Sequence, residues 1–458
     1  MEVISLIRPV TELKKPDLQG KIVYLRGSAD VPLDDGNDLY STARIKDTSR
    51  IDSFMPTLGY LIKNGARVVL QPGWIDRPDG IEKDKSVAPV YMYIKKRLRE
   101  AGLLPHKILL APTELHGDVK SISENFDLVQ ENISKLADGQ VLVLENPRFD
   151  PQYNKGDEGY AKQLAGMVEI YVADDFAQRH RPAADIVPMP KYLPRYAGIH
   201  LLDEINYAEK ISLELERKGR KPFVLILAGK KIETKPGVVS KITVALNLLG
   251  RMLKIDKILV AGAVAYTFMI AQRNLDKVKA GPDEIKKISN GDIKKIIGDS
   301  YVASDQIHDQ VMLAGRVILK ARERGISLIL PVDHTIMKNG ELLKSRPTIP
   351  PGWHGVDIGD ETISEFKDAI DSAGFVLMSG PVGMFDKKIP AAAKGSKAIV
   401  QAMQAATKHG VVTISAGGEA TLLVNRTGVK ISHASIGGGA TLEFIEKGTL
   451  PGIEALES

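Results

Sequence analysis

Two glycine-rich turns lie near the end of the chain, Ala416-Gly417-Gly418-Glu419 and Gly437-Gly438-Gly439-Ala440. Each follows a β-branched apolar run and opens a stretch with a helical pattern. The first turn of a helix carries amide groups with no partner inside the helix, and glycine lets an anion approach them closely. Two such turns opening on one cleft would bind a polyphosphate. Upstream, an apolar run leads into Leu227-Ala228-Gly229-Lys230-Lys231-Ile232-Glu233-Thr234-Lys235. On a helix Lys231 and Lys235 share a face, giving two point charges for a phosphate tail or else an ordinary solvated basic face. The run Met378-Ser379-Gly380-Pro381-Val382-Gly383-Met384-Phe385-Asp386 leaves a strand through glycine and proline. Its apolar side chains would make a slot for a planar base, with Asp386 accepting hydrogen bonds from a ribose, or it is a plain strand-exit turn. The first half of the chain has another habit. Arg26, Arg77 and Arg148 stand singly beyond apolar runs, where guanidinium forks would clamp an anion.

Groups of this kind need a scaffold that delivers loop after loop to one edge, and the chain carries the pattern for it. Short β-branched runs at 22–25, 67–70, 108–110, 140–144 and 169–172, then at 223–227, 258–260, 327–330, 375–378, 411–414 and 431–435, alternate with longer amphipathic stretches. That alternation predicts an α/β fold with parallel sheets covered by helices on both faces. One helical face carries Ile51, Phe54, Leu58, Leu61 and Ile62 and stops at Gly65. Pro56 within it should kink the helix or mark its first turns. Pro182, Pro188, Pro190 and Pro194 punctuate a loop-rich passage. The stripe that follows, Leu201, Ile205, Ala208, Ser212 and Leu215, ends at Gly219. It reads as a helix joining two domains, or as a surface helix within one.

The bulk properties exclude several classes. With 458 residues, 43% hydrophobic and 26% charged, the chain has material for large cores. A net charge of +5 against 62 basic and 57 acidic side chains does not argue for nucleic acid, and no aromatic-rich basic stripe accompanies it. The absence of cysteine excludes disulfides, thiol catalysis and cysteine-held metal, and agrees with a reducing cytoplasm. Met1-Glu2-Val3-Ile4-Ser5 lacks the pattern of a signal peptide, and no apolar run is long enough to cross a bilayer, so a soluble cytoplasmic protein is expected. No G-x-x-x-x-G-K-[ST] occurs, because Gly229-Lys230-Lys231 is not followed by Ser or Thr, and no G-x-G-x-x-G opens a helix. P-loop enzymes, protein kinases and Rossmann dehydrogenases lose weight accordingly.

Together the pieces resemble the phosphoglycerate kinase family. Its nucleotide half runs through a strand and G-G-A-K with a second lysine four on, G-G-G-M-A-Y-T-F, L-P-V-D, W-x-G-x-D-I-G, N-G-P-x-G-V-F-E, G-G-G-D-T and S-T-G-G-G-A-S-x-E, and closes on L-P-G-x-x-A-L. This chain gives, in the same order, Ala261-Gly262-Ala263-Val264-Ala265-Tyr266-Thr267-Phe268, Leu330-Pro331-Val332-Asp333 and Trp353-His354-Gly355-Val356-Asp357-Ile358-Gly359. The 379–386 loop and the two glycine turns follow, and Leu450-Pro451-Gly452-Ile453-Glu454-Ala455-Leu456 closes the series. The resemblance spans nearly the whole chain. It implies two Rossmann-like three-layer domains: 1–200 for an acid substrate, a connecting helix at 201–218 acting as hinge, 219–432 for nucleotide, and 433–458 packing back on the first domain.

The resemblance also implies roles, residue by residue. Arg26, Arg50, Arg77, Arg148 and Arg181 would grip the acid and phosphate of 3-phosphoglycerate, with Asp30, Trp74 and His180 lining the same basin. Gly229, Lys231, Lys235, Gly262, Pro381, Met384, Asp386, Gly417, Gly418, Glu419 and Ala420 would hold ATP or ADP, and Glu419 the Mg²⁺ ion. Arg50, Lys231, Gly418 and Gly438 would surround the transferred phosphoryl group, and closure about the hinge would exclude water. Some positions depart from the pattern. Ser28-Ala29-Asp30 stands for D-F-N, Gly73-Trp74-Ile75-Asp76-Arg77-Pro78 for S-H-L-G-R-P, Ala183 for the second histidine of H-R-x-H, and Glu419-Ala420 for D-T. The expectation is reversible phosphoryl transfer between MgATP and a carboxylate, by a monomer without nucleic-acid or membrane partners. A kinase of the same fold for another carboxylate, and a catalytically weak nucleotide binder, stay open beside it.

Overall fold

The computed structural model describes the chain apart from residues 1–5, 35, 37, 104–107, 114–116, 217–220, 231–240, 251–254, 279–288, 303–306, 386–389 and 458. The chain divides into two compact units, residues 1–209 with 447–458, and residues 210–446. The division falls inside the helix Ile199–Glu216, whose Leu201, Ile205, Ala208 and Ile211 are buried.

In the first unit, β1 (Ile22–Arg26), β2 (Arg67–Gln71), β3 (Ile108–Ala111), β4 (Val141–Leu144), β5 (Ile170–Ala173) and β6 (Arg195–Ala197) form one sheet in the order β3-β4-β2-β1-β5-β6. All its pairings are parallel. A parallel sheet is covered on both faces, so its strands are continuous apolar runs, as in Val141–Leu144, where every residue is buried. The helix Ser49–Lys63 lays Ile51, Phe54, Leu58 and Leu61 on the core and ends just before Gly65, which takes φ +79°. Pro56 sits in the body of this helix, which continues through it.

The second unit repeats the architecture. β7 (Phe223–Leu227), β8 (Lys257–Val260), β9 (Ser327–Ile329), β13 (Phe375–Met378), β14 (Val412–Ala416) and β15 (His433–Ser435) form a parallel sheet in the order β15-β14-β13-β7-β8-β9. Phe223 and Phe375 meet edge to face at 4.9 Å across the β7–β13 pair, a contact worth about 0.5–1.5 kcal/mol beyond its buried area. A small antiparallel sheet, β11-β10-β12, adds β10 (His334–Lys338), β11 (Glu341–Ser345) and β12 (His354–Ile358).

All eleven runs expected as strands are strands, within two residues at either end. The alternation did not mark β6 or the antiparallel trio. β6 is three residues long and follows the proline-rich passage; in the trio β10 alternates buried and half-buried residues, β11 buries none and β12 buries only its last three, so no long apolar block marks them. Strand β15 belongs to the second unit through its pairing with β14, so the segment grouped with the first unit begins at Lys447 rather than at 433.

That last segment docks through backbone. The Gly452 amide donates to the Arg179 carbonyl at 2.8 Å, and Arg179 Nη1 donates to the Gly452 carbonyl at 3.3 Å. A Cβ at position 452 would stand 2.6 Å from Ile186 Cγ2 and 2.9 Å from the Arg179 oxygen. Gly452→Val is therefore expected to lower stability by about 1–3 kcal/mol through overpacking and to expose the C-terminal residues to carboxypeptidase. Thermal melts and timed digestion check this; wild-type behaviour in both would refute the docking.

Candidate functional site

The sheet of the second unit delivers its glycine turns side by side. β14 and β15 pair in register, Ala416 beside Ser435, and each strand ends in its glycine turn. Gly417 takes φ +115° and starts the helix Gly418–Thr427; Gly438 takes φ +59° and starts the helix Gly439–Lys447. A Cβ at Gly417 would lie 3.8 Å from Gly438 Cα, so the turns abut. Buried hydroxyls tie them. Thr421 Oγ1 donates to the Ser435 carbonyl at 2.7 Å, Ser435 Oγ lies 2.7 Å from Thr441 Oγ1, and the Gly417 and Gly437 amides donate to Ser435 oxygens. In front of Gly418 and Gly439 the space is open, with nothing within 4 Å of an added Cβ. Two helix N-termini with this opening provide a cradle of amide hydrogens for an anion.

A cavity of about 590 Å³ lies next to the first turn, lined by Gly229, Gly262, Pro381, Met384, Glu419 and Arg426 among others. Its floor is backbone on backbone. The Gly262 amide donates to the Val382 carbonyl at 2.9 Å, and the Val264 amide to the Gly229 carbonyl at 3.3 Å. Gly262 has φ +64°, and a Cβ there would stand 2.8 Å from Gly229 N and 3.1 Å from the Pro381 oxygen. The ends of β7, β8 and β13 therefore converge only with glycine at 262. Pro381 is buried and Met384 is 40% exposed, so the methionine offers an apolar face to a ligand. Ala420 is buried against the core beneath Glu419. Glu419 is exposed at the helix start. Among the described residues no cluster of three or more His, Cys, Asp or Glu could hold a metal alone. A single carboxylate is still an ordinary protein contribution to Mg²⁺ when phosphate oxygens and water complete the octahedron. Lys231, Lys235 and Asp386 lie outside the described residues.

In the first unit the arginines divide by their partners. Arg26 at the end of β1 is wholly buried. Its Nε lies 2.7 Å from Asp185 Oδ2 with the N–H aimed off that oxygen, Nη1 lies 3.6 Å from Asp175, and Nη2 donates to Gln178 at 2.6 Å and Tyr153 at 3.2 Å. Burial opposes its charge, but Asp185, Tyr153 and Asp175 together hold its pKa above the ordinary value. Asp185 also accepts from the Tyr24 and Tyr153 hydroxyls. The expected grip of Arg26 on a ligand thus meets a side chain with no exposed surface and its donors turned inward.

Arg50, in the first turn of Ser49–Lys63, is half-buried. Its Nη1 donates to the Asp30 carbonyl at 2.7 Å and to Asp30 Oδ2 at 3.0 Å. Arg148 has no carboxylate partner among the described residues. Nε donates to Asn154 at 3.2 Å, Nη1 to the Asp76 carbonyl at 2.7 Å, and its guanidinium carbon stands 3.9 Å from the Trp74 ring centre. Burial pushes its pKa down to about 10; Tyr153 and Asp30 oppose this, and the positive charges of Arg77 and Arg181 reinforce it. Arg77 is exposed and Arg181 half-buried. His180 is held neutral: burial first, then the charges of Arg181, Lys447 and Arg50, bring its pKa down to about 3. Arg50, Arg77, Arg148 and Arg181 outnumber the Asp30 carboxylate here, which leaves a net positive basin suited to an anion.

Several contributors escaped the sequence reading. Asp175 and Asp185 neutralise Arg26 and the Tyr153 hydroxyl accepts from it, and no motif in the sequence marks any of the three. Ser415, Thr421, Ser435 and Thr441 carried a usable signal, since hydroxyls at buried strand ends and first helical turns ask for a reason. Asp76 carried one too. It has φ +54° where the resembling family has glycine, and its carbonyl receives Arg148.

Two predictions follow from this geometry. Gly262→Ala should cost about 1–3 kcal/mol, since it combines a positive φ with contact to backbone, and should weaken ATP binding in calorimetry; unchanged melting and affinity would show that the three loops can separate. For His180, the folded pKa of about 3 lies below the unfolded value, so the native state binds fewer protons between them. Its contribution is present above about pH 6.5 and is lost as pH falls towards 3. The melting temperature of wild type relative to His180→Gln should therefore decline across that window, and a flat difference would contradict the burial.

Comparison with known proteins agrees with these features. The family model described as phosphoglycerate kinase matches residues 13–448. Phosphoglycerate kinase of Thermosipho africanus is 34% identical over 449 residues, covering 96% of each chain. Phosphoglycerate kinase 3, cytosolic, of Arabidopsis thaliana is 33% identical over 459 residues, 98% of each. The structure of phosphoglycerate kinase from Coxiella burnetii superposes with a TM-score of 0.67 at 26% identity over 98% of both chains. That from Pyrococcus horikoshii gives 0.72 at 20% identity over 98% of both, a likeness of fold. A family model matched over residues 13–448, with relatives 33–34% identical over almost the whole length, makes this chain a member of the phosphoglycerate kinase family.

Proposed function

We propose that the protein catalyses reversible phosphoryl transfer between ATP and the carboxylate of 3-phosphoglycerate, giving ADP and the acyl phosphate. The observation that carries this reading is the cradle of the second unit, where two abutting helix N-termini open beside a cavity with an apolar wall at Pro381 and Met384. In the forward direction a carboxylate oxygen attacks the γ-phosphorus and the bond to the ADP oxygen breaks. A carboxylate is already ionised at neutral pH, so the reaction asks for no general base. It asks for alignment and for positive charge around the phosphoryl oxygens.

The roles divide accordingly. The Gly417–Gly418 and Gly438–Gly439 amides hold the phosphate chain, Gly262 and Gly229 shape the floor, and Lys231 and Lys235 supply charge to the nucleotide phosphates. Glu419 would hold Mg²⁺, which would supply positive charge to the nucleotide phosphates. On the acid side Arg77, Arg148 and Arg181 hold the substrate phosphate, His180 lines the basin as a neutral ring, and Arg50 attends the transferred group with Asp30 as its tether. Arg26 acts through Tyr153 and Gln178 rather than on the ligand.

Coupled detection of ADP from purified protein, MgATP and 3-phosphoglycerate tests the reading. Turnover is expected, and its absence under conditions where ATP binds would overturn the substrate assignment. Arg50→Ala should lower kcat by about 10²–10³-fold with little change in ATP affinity. Near-wild-type turnover in that variant would remove Arg50 from the transfer step.

A further inference from the structure

We infer that Trp74 is a positioning residue that holds the ligand-facing Arg148 through its π face, replacing a carboxylate partner without adding a competing anion. The inference rests on the acid-binding role proposed above. Trp74 is 4% exposed and lies between two guanidinium groups, Arg148 at 3.9 Å and Arg26 at 5.4 Å from its ring centre. The two cations are in opposite situations. Arg26 is neutralised by Asp185 and Asp175. Arg148 feels Asp30 as an opposite charge and Arg77 and Arg181 as like charges, but no carboxylate among the described residues lies within ion-pair distance of it. Unaided, such a side chain would swing towards water and away from its neighbours.

The turn around Trp74 is built to place the ring. Gly73 takes φ +100°, and its amide donates to Gln71 at 3.2 Å. A Cβ at 73 would stand 3.1 Å from Arg26 Nη1, so the backbone lies directly on the buried arginine. Asn146 Nδ2 donates to the Ile75 carbonyl at 2.9 Å, and the Asp76 carbonyl then takes Arg148 Nη1. Tyr153 meets the indole edge to face at 6.2 Å. Nη1 and Nε of Arg148 are thus occupied by neutral acceptors, the cation rests on the ring, and Nη2 has no protein acceptor among the described residues. A carboxylate in place of the ring would fix Arg148 equally well, but it would repel the incoming anion and have to be displaced by it. An indole attracts the cation through its ring quadrupole and adds no charge that the anion must displace.

A double-mutant cycle with Arg148→Ala tests this. Trp74→Leu should raise KM for 3-phosphoglycerate roughly 3- to 30-fold, the span of a cation–π contact, with kcat reduced far less and KM for MgATP unmoved. Trp74→Phe should recover part of the loss. In the Arg148→Ala background, Trp74→Leu should add almost nothing. Calorimetric titration with inorganic phosphate reads the same contact independently of turnover. Weaker phosphate binding in Trp74→Leu, restored in part by Trp74→Phe, supports the positioning role even if 3-phosphoglycerate is not turned over, in which case only the substrate assignment fails. An additive effect in the Arg148→Ala background, or equal phosphate affinity in wild type and Trp74→Leu, would overturn it.

Discussion

A guanidinium removed from water must find a counter-charge, and the first unit is organised around how each arginine does so. Arg26 has no exposed surface, so Asp185 and Asp175 are obligatory. Losing one partner of such a buried pair costs about 3–5 kcal/mol. Meeting that demand recruits Tyr24 and Tyr153 as donors to Asp185, and Arg179 as a second buried cation on Asp175. Arg179 in turn receives the returning C-terminal segment at Gly452. One buried charge thus links β1, the proline-rich passage and the last residues of the chain. It also leaves the remaining cations, Arg77 and Arg148, without carboxylates among the described residues.

The second unit meets the same requirement, a place for anions, with backbone instead of side chains. Beside the charges proposed for Lys231 and Lys235, its backbone donors are the amides at Gly417–Gly418 and Gly438–Gly439, which form one cradle only while the two turns stay together. Sheet register brings them together, and Ser435, Thr421 and Thr441 fasten them. Their hydroxyls can be buried because each has a partner, whereas an apolar residue would leave the Gly437 amide without one. Each helix start carries only about half a positive charge, so two of them repel one another far less than clustered arginines do.

Sequence alone was sufficient for much of this. Apolar blocks that are buried on both faces announce parallel strands, and glycine after such a block announces a helix start, so β7, β13, β14 and the two turns were legible. The β10–β12 trio was not, because its strands are largely half-buried or exposed and carry no long apolar block. Arg148 was legible as a cation beyond a strand, but its lack of a counter-ion was not, since that depends on which carboxylates the fold spends elsewhere. Arg26 shows the converse. Its type and place are those of a ligand clamp, and only packing reveals Asp175 and Asp185 around it. Trp74 reads as an apolar filler until the ring is seen beneath a guanidinium.

Arg50 and Arg26 mark two ends of one scale. Both are ion-paired, but the Asp30 side chain is 42% exposed and that of Arg50 21%, so water screens their attraction. Such a pair is worth about 0–1 kcal/mol, little enough for an anion to draw Arg50 away, as its proposed role requires. The carbonyl of Asp30 keeps hold of the same nitrogen at 2.7 Å, so the side chain stays aimed while its charge remains available. Arg26 is fixed, and Arg148 is held by a neutral ring. The proposed reaction uses all three degrees of restraint: Arg26 immobile to shape the wall, Arg148 oriented without a competing anion to bind, and Arg50 loosely paired to follow the charge as it moves.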